Sequence, residues 1–191
     1  MSDTSTRTGK VVVVRAMSLD GFIAGPGDAM DWIFDFVAND APWQKEAAAA
    51  TGAMLSGRRT VEVGDRMEAN NDRGTESRDE GYPFYGPMFV LTHQPPDPPD
   101  PDVTYRTGDI GEAVATSLDA AGGKDPQILG ADVAGQCLRR GLVDEIVVQV
   151  LPVLLGDGIR FSAPGLARID LEPVSSTQAD GVTILRFRAR K

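Results

Sequence analysis

Three short apolar runs end in residues suited to holding an anion: Leu55-Ser56-Gly57-Arg58, Leu91-Thr92-His93-Gln94 and Leu129-Gly130-Ala131-Asp132. Each reads as a strand running straight into a helix start or a polar loop. In an open α/β sheet, ligands bind beside the carboxyl ends of strands, where the first N–H groups of the next helix lack partners and carry its positive dipole end. The formal net charge of −9 makes a local pair of cations more informative, because an anionic ligand must be drawn in against the overall field. Arg58 and Arg59 form such a pair at a helix start, where a guanidinium fork favours phosphate. The pattern suits a phosphate-rich ligand. It contains neither the strand–GxGxxG–helix fingerprint nor a P-loop lysine motif, so neither a Rossmann domain nor an NTPase is supported.

Other residues can do chemistry or merely build structure. His93 reads as a contact at a polar strand end rather than as a catalytic base. Gly130-Ala131 permits close backbone approach of a ligand to a helix start. Asp20 and Gly21 lie in a stretch of turn formers and isolated apolar residues, where Asp20 serves either a site or a turn. Trp32 and Phe36 suit the walls of a flat-substrate pocket or a core. Leu154, before the Gly156-Asp157-Gly158 turn, faces a substrate or belongs to a structural turn.

Composition removes several function classes. Clustered Lys and Arg sufficient for a polyphosphate backbone are missing, which argues against a nucleic-acid partner. The single cysteine, Cys137, excludes an internal disulfide, and there is no Cys/His set for zinc. No apolar leader opens the chain, and no apolar run approaches the roughly 20 residues that span a bilayer, so the expected location is the cytoplasm with no membrane role.

The elements that must position these residues follow from periodicity. Residues 1–9 read as a disordered tail, and residues 10–191 as one domain. Residues 11–14 are a β-branched run fit for a central strand covered on both faces. Asp40 is the expected N-cap of a helix ending at Gly52, residues 53–55 a short strand, and Ser56-Gly57 the opening of a helix through about Val63. Residues 64–87 then form a long loop, either a lid or an excursion. Strands are expected at residues 88–91, 103–105 and 145–151. Asp109 starts a helix with Ile110, Val114 and Leu118 on one face, and Gly130 opens another through Val133 and Cys137 that stops at Gly141. Alternation of Thr183, Leu185, Phe187 and Ala189 with Ile184, Arg186, Arg188 and Arg190 predicts a C-terminal strand paired with one near Ile169 and Leu171. The fold class is therefore α/β: a mixed sheet, mostly parallel at its centre, antiparallel at the C-terminal end, with helices on both faces.

Six blocks in order carry a resemblance: Ser18-Leu19-Asp20-Gly21-Phe22-Ile23-Ala24, Leu55-Ser56-Gly57-Arg58-Arg59-Thr60-Val61-Glu62, Val90-Leu91-Thr92-His93-Gln94-Pro95, Gly130-Ala131-Asp132-Val133-Ala134, Gly141-Leu142-Val143-Asp144-Glu145, and Leu151-Pro152-Val153-Leu154-Leu155-Gly156-Asp157-Gly158. Together they resemble the dihydrofolate-reductase-like superfamily, and within it relatives of the C-terminal reductase domain of the bifunctional riboflavin-pathway deaminase/reductase.

The resemblance implies an NADPH-dependent reductase acting on a small heterocyclic or carbonyl/imine substrate. It puts Arg58 at the ribose 2′-phosphate, and Gly57, Arg59 and Thr60 near the pyrophosphate. Leu91, Thr92 and His93 line the adenosine end. Gly130, Ala131, Asp132, Val133 and Ala134 form the second helix start, while Ala16, Asp20, Gly21 and Ile23 border the nicotinamide, with Asp20 the candidate catalytic residue. Trp32, Phe36 and Leu154 fall to the substrate. Where the folate enzyme has its pterin-binding carboxylate this chain has Val37, flanked by Asp35 and Asp40, which departs from a folate reading. Relatives often carry two glycines where this chain has Leu129-Gly130. No metal is implied, and a homodimer is. The alternative is a non-catalytic, dimeric nucleotide-binding module.

Overall fold

The computed structural model describes residues 8–36, 42–70 and 84–190. Strands β1 (Val12–Ser18) and β2 (Phe22–Ala24) precede two 3-10 turns, Pro26–Asp28 and Asp31–Asp35. Then come α1 (Pro42–Ala50), β3 (Thr51–Gly57), α2 (Arg58–Asn70), β4 (Met88–Leu91), β5 (Val103–Arg106) and α3 (Ile110–Ala120). The chain continues through β6 (Asp125–Ile128), α4 (Ala131–Arg139), β7 (Glu145–Leu151), β8 (Ile159–Arg160), β9 (Leu171–Ala179) and β10 (Val182–Ala189).

Eight strands form one sheet in the order β5-β4-β3-β6-β1-β7-β10-β9. The first six are parallel, and β10 and β9 add antiparallel at one edge. β2 and β8 pair separately, antiparallel. Connections through α1 and α2 step toward β5, whereas those through α3 and α4 step toward β7. Right-handed crossovers therefore put the two helix pairs on opposite faces. This is the mixed sheet expected from the pattern.

The larger core lies under α3 and α4. Val11, Val13, Ala53, Leu55, Ile128, Ile146 and Val148 of the sheet meet Ile110, Val114, Val133, Cys137 and Leu138. Fully burying a side chain such as Leu55 or Ile128 stabilises by about 1.5–3 kcal/mol each. Asp109 caps α3 as expected, its carboxylate accepting from the Gly111 N–H at 2.7 Å. Gly141 follows α4 at φ 62°, the left-handed stop that glycine permits.

Three expectations need correcting. The helix expected to end near Val63 runs to Asn70. Gly64 does not stop it, since one interior glycine costs only about 1 kcal/mol, and Arg66 reaches back to Asp28 at 3.5 Å. The strand expected at residues 53–55 spans Thr51–Gly57, because parallel pairing to both β4 and β6 recruits polar residues at its ends. The run at residues 11–14 was expected to be covered on both faces. Val11, Val12 and Val13 are buried as expected, but Val14, and Ala16 beyond the run, are only half-buried, although β1 lies inside the sheet. One face of the central strand is thus open toward its carboxyl end. Asp40, Val37, residues 1–7 and most of the expected long loop (residues 71–83) lie outside the described residues.

A smaller cluster occupies that open face. Leu151 and Val182 are buried, with Ala16, Trp32, Ile33, Phe36, Trp43, Val153 and Ile184 packed against them.

Candidate active site

β3 and β6 are neighbours, and each delivers a helix at its carboxyl end. Gly130, at φ 79° and ψ 139°, turns the chain into α4 and provides no side-chain cap. A Cβ at Gly130 would overlap Oγ1 of Thr60 in the first turn of α2, and one at Gly57 would lie 3.2 Å from Cγ2 of Val133 in α4. Two helix starts thus sit side by side, and glycine at 130 lets them do so. Their first N–H groups have no intrahelical partner and form an anion-binding edge. The Leu129–Gly130 peptide is trans, Asp97–Pro98 being the cis bond among the described residues.

Beneath this edge lies a residue that motif reading missed. Arg15 of β1 is buried, and its guanidinium donates to the carbonyls of Val14 at 2.8 Å, Ile128 at 2.9 Å and Gly130 at 2.8 Å. Burial pulls its pKa down to about 10, so it remains a cation at neutral pH. No carboxylate pairs with it among the described residues. Its charge is answered by carbonyl dipoles alone, which leaves positive potential under the helix starts. The available signal was a lone arginine inside Val11-Val12-Val13-Val14-Arg15-Ala16-Met17.

Arg58 opens α2 at one end of a cleft of about 500 Å³ lined by Val61, Glu62, Asp65, Val90, His93 and Tyr105. Its Nε lies 3.1 Å from Oε1 of Glu62, one turn along the helix. His93 is exposed at the rim, and Leu91 and Thr92 are half-buried at the end of β4. Thr92 is held by its N–H to the Arg106 carbonyl at 2.9 Å, and its hydroxyl donates to the Gln94 carbonyl at 3.1 Å. A second hollow of about 380 Å³, between Thr51, Phe84, Tyr85 and Lys124, sits where β3 and β6 begin, at the opposite end of the sheet from the helix starts.

Arg59 does not join Arg58. It binds Asp28 with its Nε at 3.0 Å and Nη2 at 2.8 Å, tying the first 3-10 turn to α2. Val133 and Ala134 are buried in the core, so that segment offers a ligand only its backbone and the exposed Asp132, whose carboxylate accepts from Gln136 at 2.7 Å.

The stretch after β1 is fastened by one carboxylate. The Asp20 carboxylate accepts from Ser18 Oγ at 2.6 Å, the Leu155 N–H at 3.1 Å and the Gly156 N–H at 2.7 Å. The Ser18 hydroxyl and these backbone donors hold it below the usual aspartate range. It stays ionised and clasps the segments after β1 and β7. Gly158 lies so close to β2 that a Cβ there would overlap the Ala24 carbonyl, and the Arg160 guanidinium stacks over Phe22 at 4.5 Å. Gly21 takes φ 90°. Ile23 is buried in β2, whereas Ala16 is half-buried at the open face. Trp32 and Phe36 reach the cluster beside Ala16, while Leu154 is 68% exposed and is not part of that cluster. No group of His, Cys, Asp and Glu able to hold a metal occurs among the described residues. No described helix is long and apolar enough to cross a membrane.

Over residues 9–185 the sequence matches the family of the RibD C-terminal domain. The chain belongs to that family. Solved structures repeat the architecture: a protein from Shewanella sp. PV-4 described as a riboflavin biosynthesis protein superposes with a TM-score of 0.76 at 23% identity, covering 95% of this chain and 99% of the other. Dihydrofolate reductase from Enterococcus faecalis, solved with NADP(H), gives 0.61 at 15% identity, covering 96% and 98%. The uncharacterised protein YwjB of Bacillus subtilis is 25% identical over 152 residues, 78% of this chain and 80% of its own length. The fold is shared with dihydrofolate reductase and with the Shewanella protein.

Proposed function

We propose that this chain is an NADPH-dependent reductase of a small heterocyclic or carbonyl/imine substrate, working in the cytoplasm. The observation that carries the reading is the pair of helix starts at the ends of β3 and β6, packed through Gly130 and Thr60 above the buried Arg15 cation. This edge has the donors and the potential for a pyrophosphate, and the half-open carboxyl half of strand β1 lies beside it. Gly57, Thr60, Gly130 and Ala131 would hold the pyrophosphate, with Asp132, Val133 and Ala134 contributing backbone only. Arg58 would meet the 2′-phosphate in a cleft whose Leu91, Thr92, His93 and Tyr105 accommodate adenosine. Ala16, Asp20, Gly21 and Ile23 would border the nicotinamide. When bound, NADPH supplies a hydride.

The chain's own contribution is alignment and exclusion of water. Hydride transfer needs a dry, oriented acceptor more than a strong acid. Asp20 acts as a positioning residue, since its carboxylate is ionised and fully engaged in holding the two loops together. Trp32 and Phe36 close the open face against solvent. Arg59 steadies the 3-10 turn through Asp28. Water supplies the proton.

Titration calorimetry with NADPH and NADH, followed by cofactor oxidation with pterin, pyrimidine and quinone acceptors, tests the reading. NADPH binding at least about tenfold tighter than NADH is expected from one charge-assisted contact. Absence of binding by either cofactor contradicts it. A homodimer accompanies the proposal, because edge strand β9 presents Leu171 and Val174 at 38% and 44% exposure. Light scattering at tens of micromolar should give twice the chain mass.

A further inference from the structure

Asp28 closes the 3-10 turn Pro26–Asp28, and its side chain is only 12% exposed. Its two carboxylate oxygens take Nε of Arg59 at 3.0 Å and Nη2 of the same residue at 2.8 Å, with Nη2 of Arg66 at 3.5 Å. Arg59 and Arg66 lie about two turns apart on α2 and share one face of it. One carboxylate therefore pins the turn to that face.

The backbone at this point is strained. Gly27 takes φ 69° and ψ 21°, and Asp28 takes φ 65°, two successive residues in the left-handed region. That conformation suits glycine and costs a residue with a Cβ, so the ion pairs hold the turn in a state it would otherwise leave. The next residue anchors the pocket cover. The Ala29 carbonyl accepts from the Gly25 N–H at 2.8 Å and from the Trp32 indole N–H at 3.2 Å. Trp32 and Phe36, on the following turn, pack against the cluster at the open face.

At its other end the ion pair touches the anion-binding edge. Arg59 is the second residue of α2, beside the first N–H groups of that helix, and its side chain is 71% exposed. An exposed pair of this kind contributes little by itself and exchanges readily. A diphosphate also takes a guanidinium bidentately and carries more charge than a carboxylate. At the helix starts it would gain the backbone donors and the Arg15 potential as well, which Asp28 does not reach.

We propose that Asp28 is a tethered competitor for the phosphate site. A diphosphate arriving at the helix starts takes Arg59 from Asp28, the turn at Gly27 and Asp28 relaxes, and Trp32 shifts over the open face. Occupancy of the phosphate site is thereby coupled to the pocket cover before any acceptor enters. Coupling is reciprocal, so the closed ion pair lowers phosphate affinity. That the diphosphate belongs to NADPH rests on the reductase reading; the exchange itself needs only the phosphates.

The chain contains two tryptophans, so fluorine NMR of 5-fluorotryptophan-labelled protein, assigned with Trp32→Phe, follows Trp32 directly. Inorganic pyrophosphate and NADP⁺ are titrated in turn, with affinities from calorimetry. Each should move the Trp32 resonance of the unmodified protein. Asp28→Asn keeps a residue that tolerates the left-handed backbone and removes the charge. It should bind pyrophosphate about threefold or more tightly, with its ligand-free Trp32 resonance already shifted. Arg59→Gln, at an exposed position, should lower affinity about tenfold and abolish the Trp32 response, and it carries the test if Asp28→Asn fails to fold. Combined with Arg59→Gln, Asp28→Asn should bring no further gain, because the two act through one contact. A Trp32 resonance unmoved by bound pyrophosphate, no gain from Asp28→Asn, or a gain that survives Arg59→Gln would overturn the exchange and leave the reductase reading in place. The expected responses to pyrophosphate in a chain that binds no NADP⁺ would remove the reductase reading and leave the exchange standing. Binding of neither ligand would remove both.

Discussion

The guanidinium of Arg15 and the carbonyl of Gly130 are joined by a 2.8 Å hydrogen bond that ties the middle of the central strand to the residue opening α4. A second bond from the same side chain, to Ile128 at 2.9 Å, clamps the end of β6. The clamp fixes where the two helix starts stand and places a cation below them. Arg15→Met should leave carbonyls without their donor and lose at least about 2 kcal/mol of stability. NADP⁺ affinity should fall in the same variant, and Arg15→Lys should restore part of both. Denaturant unfolding and cofactor titration on the three proteins check this; Arg15→Met matching the parent in NADP⁺ affinity would show that the charge is merely structural.

Gly130 is constrained twice, by its φ of 79° and by Thr60. Gly130→Ala should cost about 1–3 kcal/mol through strain and overlap. Adding Thr60→Ser should not relieve it, because the overlapping Oγ remains, whereas adding Thr60→Ala should recover part. A denaturation midpoint for each variant separates backbone strain from the clash.

Arg58 is shared between the cleft and Glu62. Glu62→Gln should free the guanidinium and strengthen NADPH binding at low ionic strength, with a smaller gain in high salt. Arg58→Ala should shrink the preference for NADPH over NADH by about tenfold. If NADPH and NADH respond alike to either change, Arg58 does not meet the 2′-phosphate.

Glu145 is buried where β7 begins, accepting from Lys10 at 2.7 Å and from Arg186 at 3.0 Å. Burial pushes its carboxyl up, but the hydrogen bonds and charges of Lys10 and Arg186 more than offset this and hold it below the ordinary 4.5. A carboxylate depressed in the folded state contributes stability that is present above its unfolded pKa and lost as pH falls through the folded value. The thermal midpoint should therefore be flat near neutrality and drop below about pH 4.5. Glu145→Gln should make that acid drop shallower; parallel curves for the two proteins would assign the drop to other carboxylates.

Trp32 is half-buried on a 3-10 turn, its Nε1 donating to the Ala29 carbonyl at 3.2 Å. Trp32→Ala should cost less than the roughly 3–5 kcal/mol of a fully buried tryptophan and leave NADP⁺ affinity intact. Turnover, once an acceptor is in hand, should fall far more than stability. A folded variant with unchanged turnover would remove Trp32 from the pocket.

Local pattern was enough for the order of the helices and of the strands in the main sheet, because period-2 and period-3.6 burial, the Asp109 cap and the Gly130 and Gly141 turns are written in neighbouring residues; it missed the short pair β2 and β8, which falls where a loop and a turn were expected. It also marked Gly57, Arg58 and Gly130, since a strand running into a helix start is a short-range signal. Other features depend on contacts between distant segments. Arg59 looked equivalent to Arg58 until Asp28, 31 residues away, was brought against it. Asp20 looked catalytic or turn-forming until residues 155 and 156, more than 130 positions on, filled its carboxylate. Arg15 had no motif to announce it. Sheet order alone decided that it lies under the Gly130 carbonyl, because a strand's neighbours are chosen by tertiary packing and not by the strand.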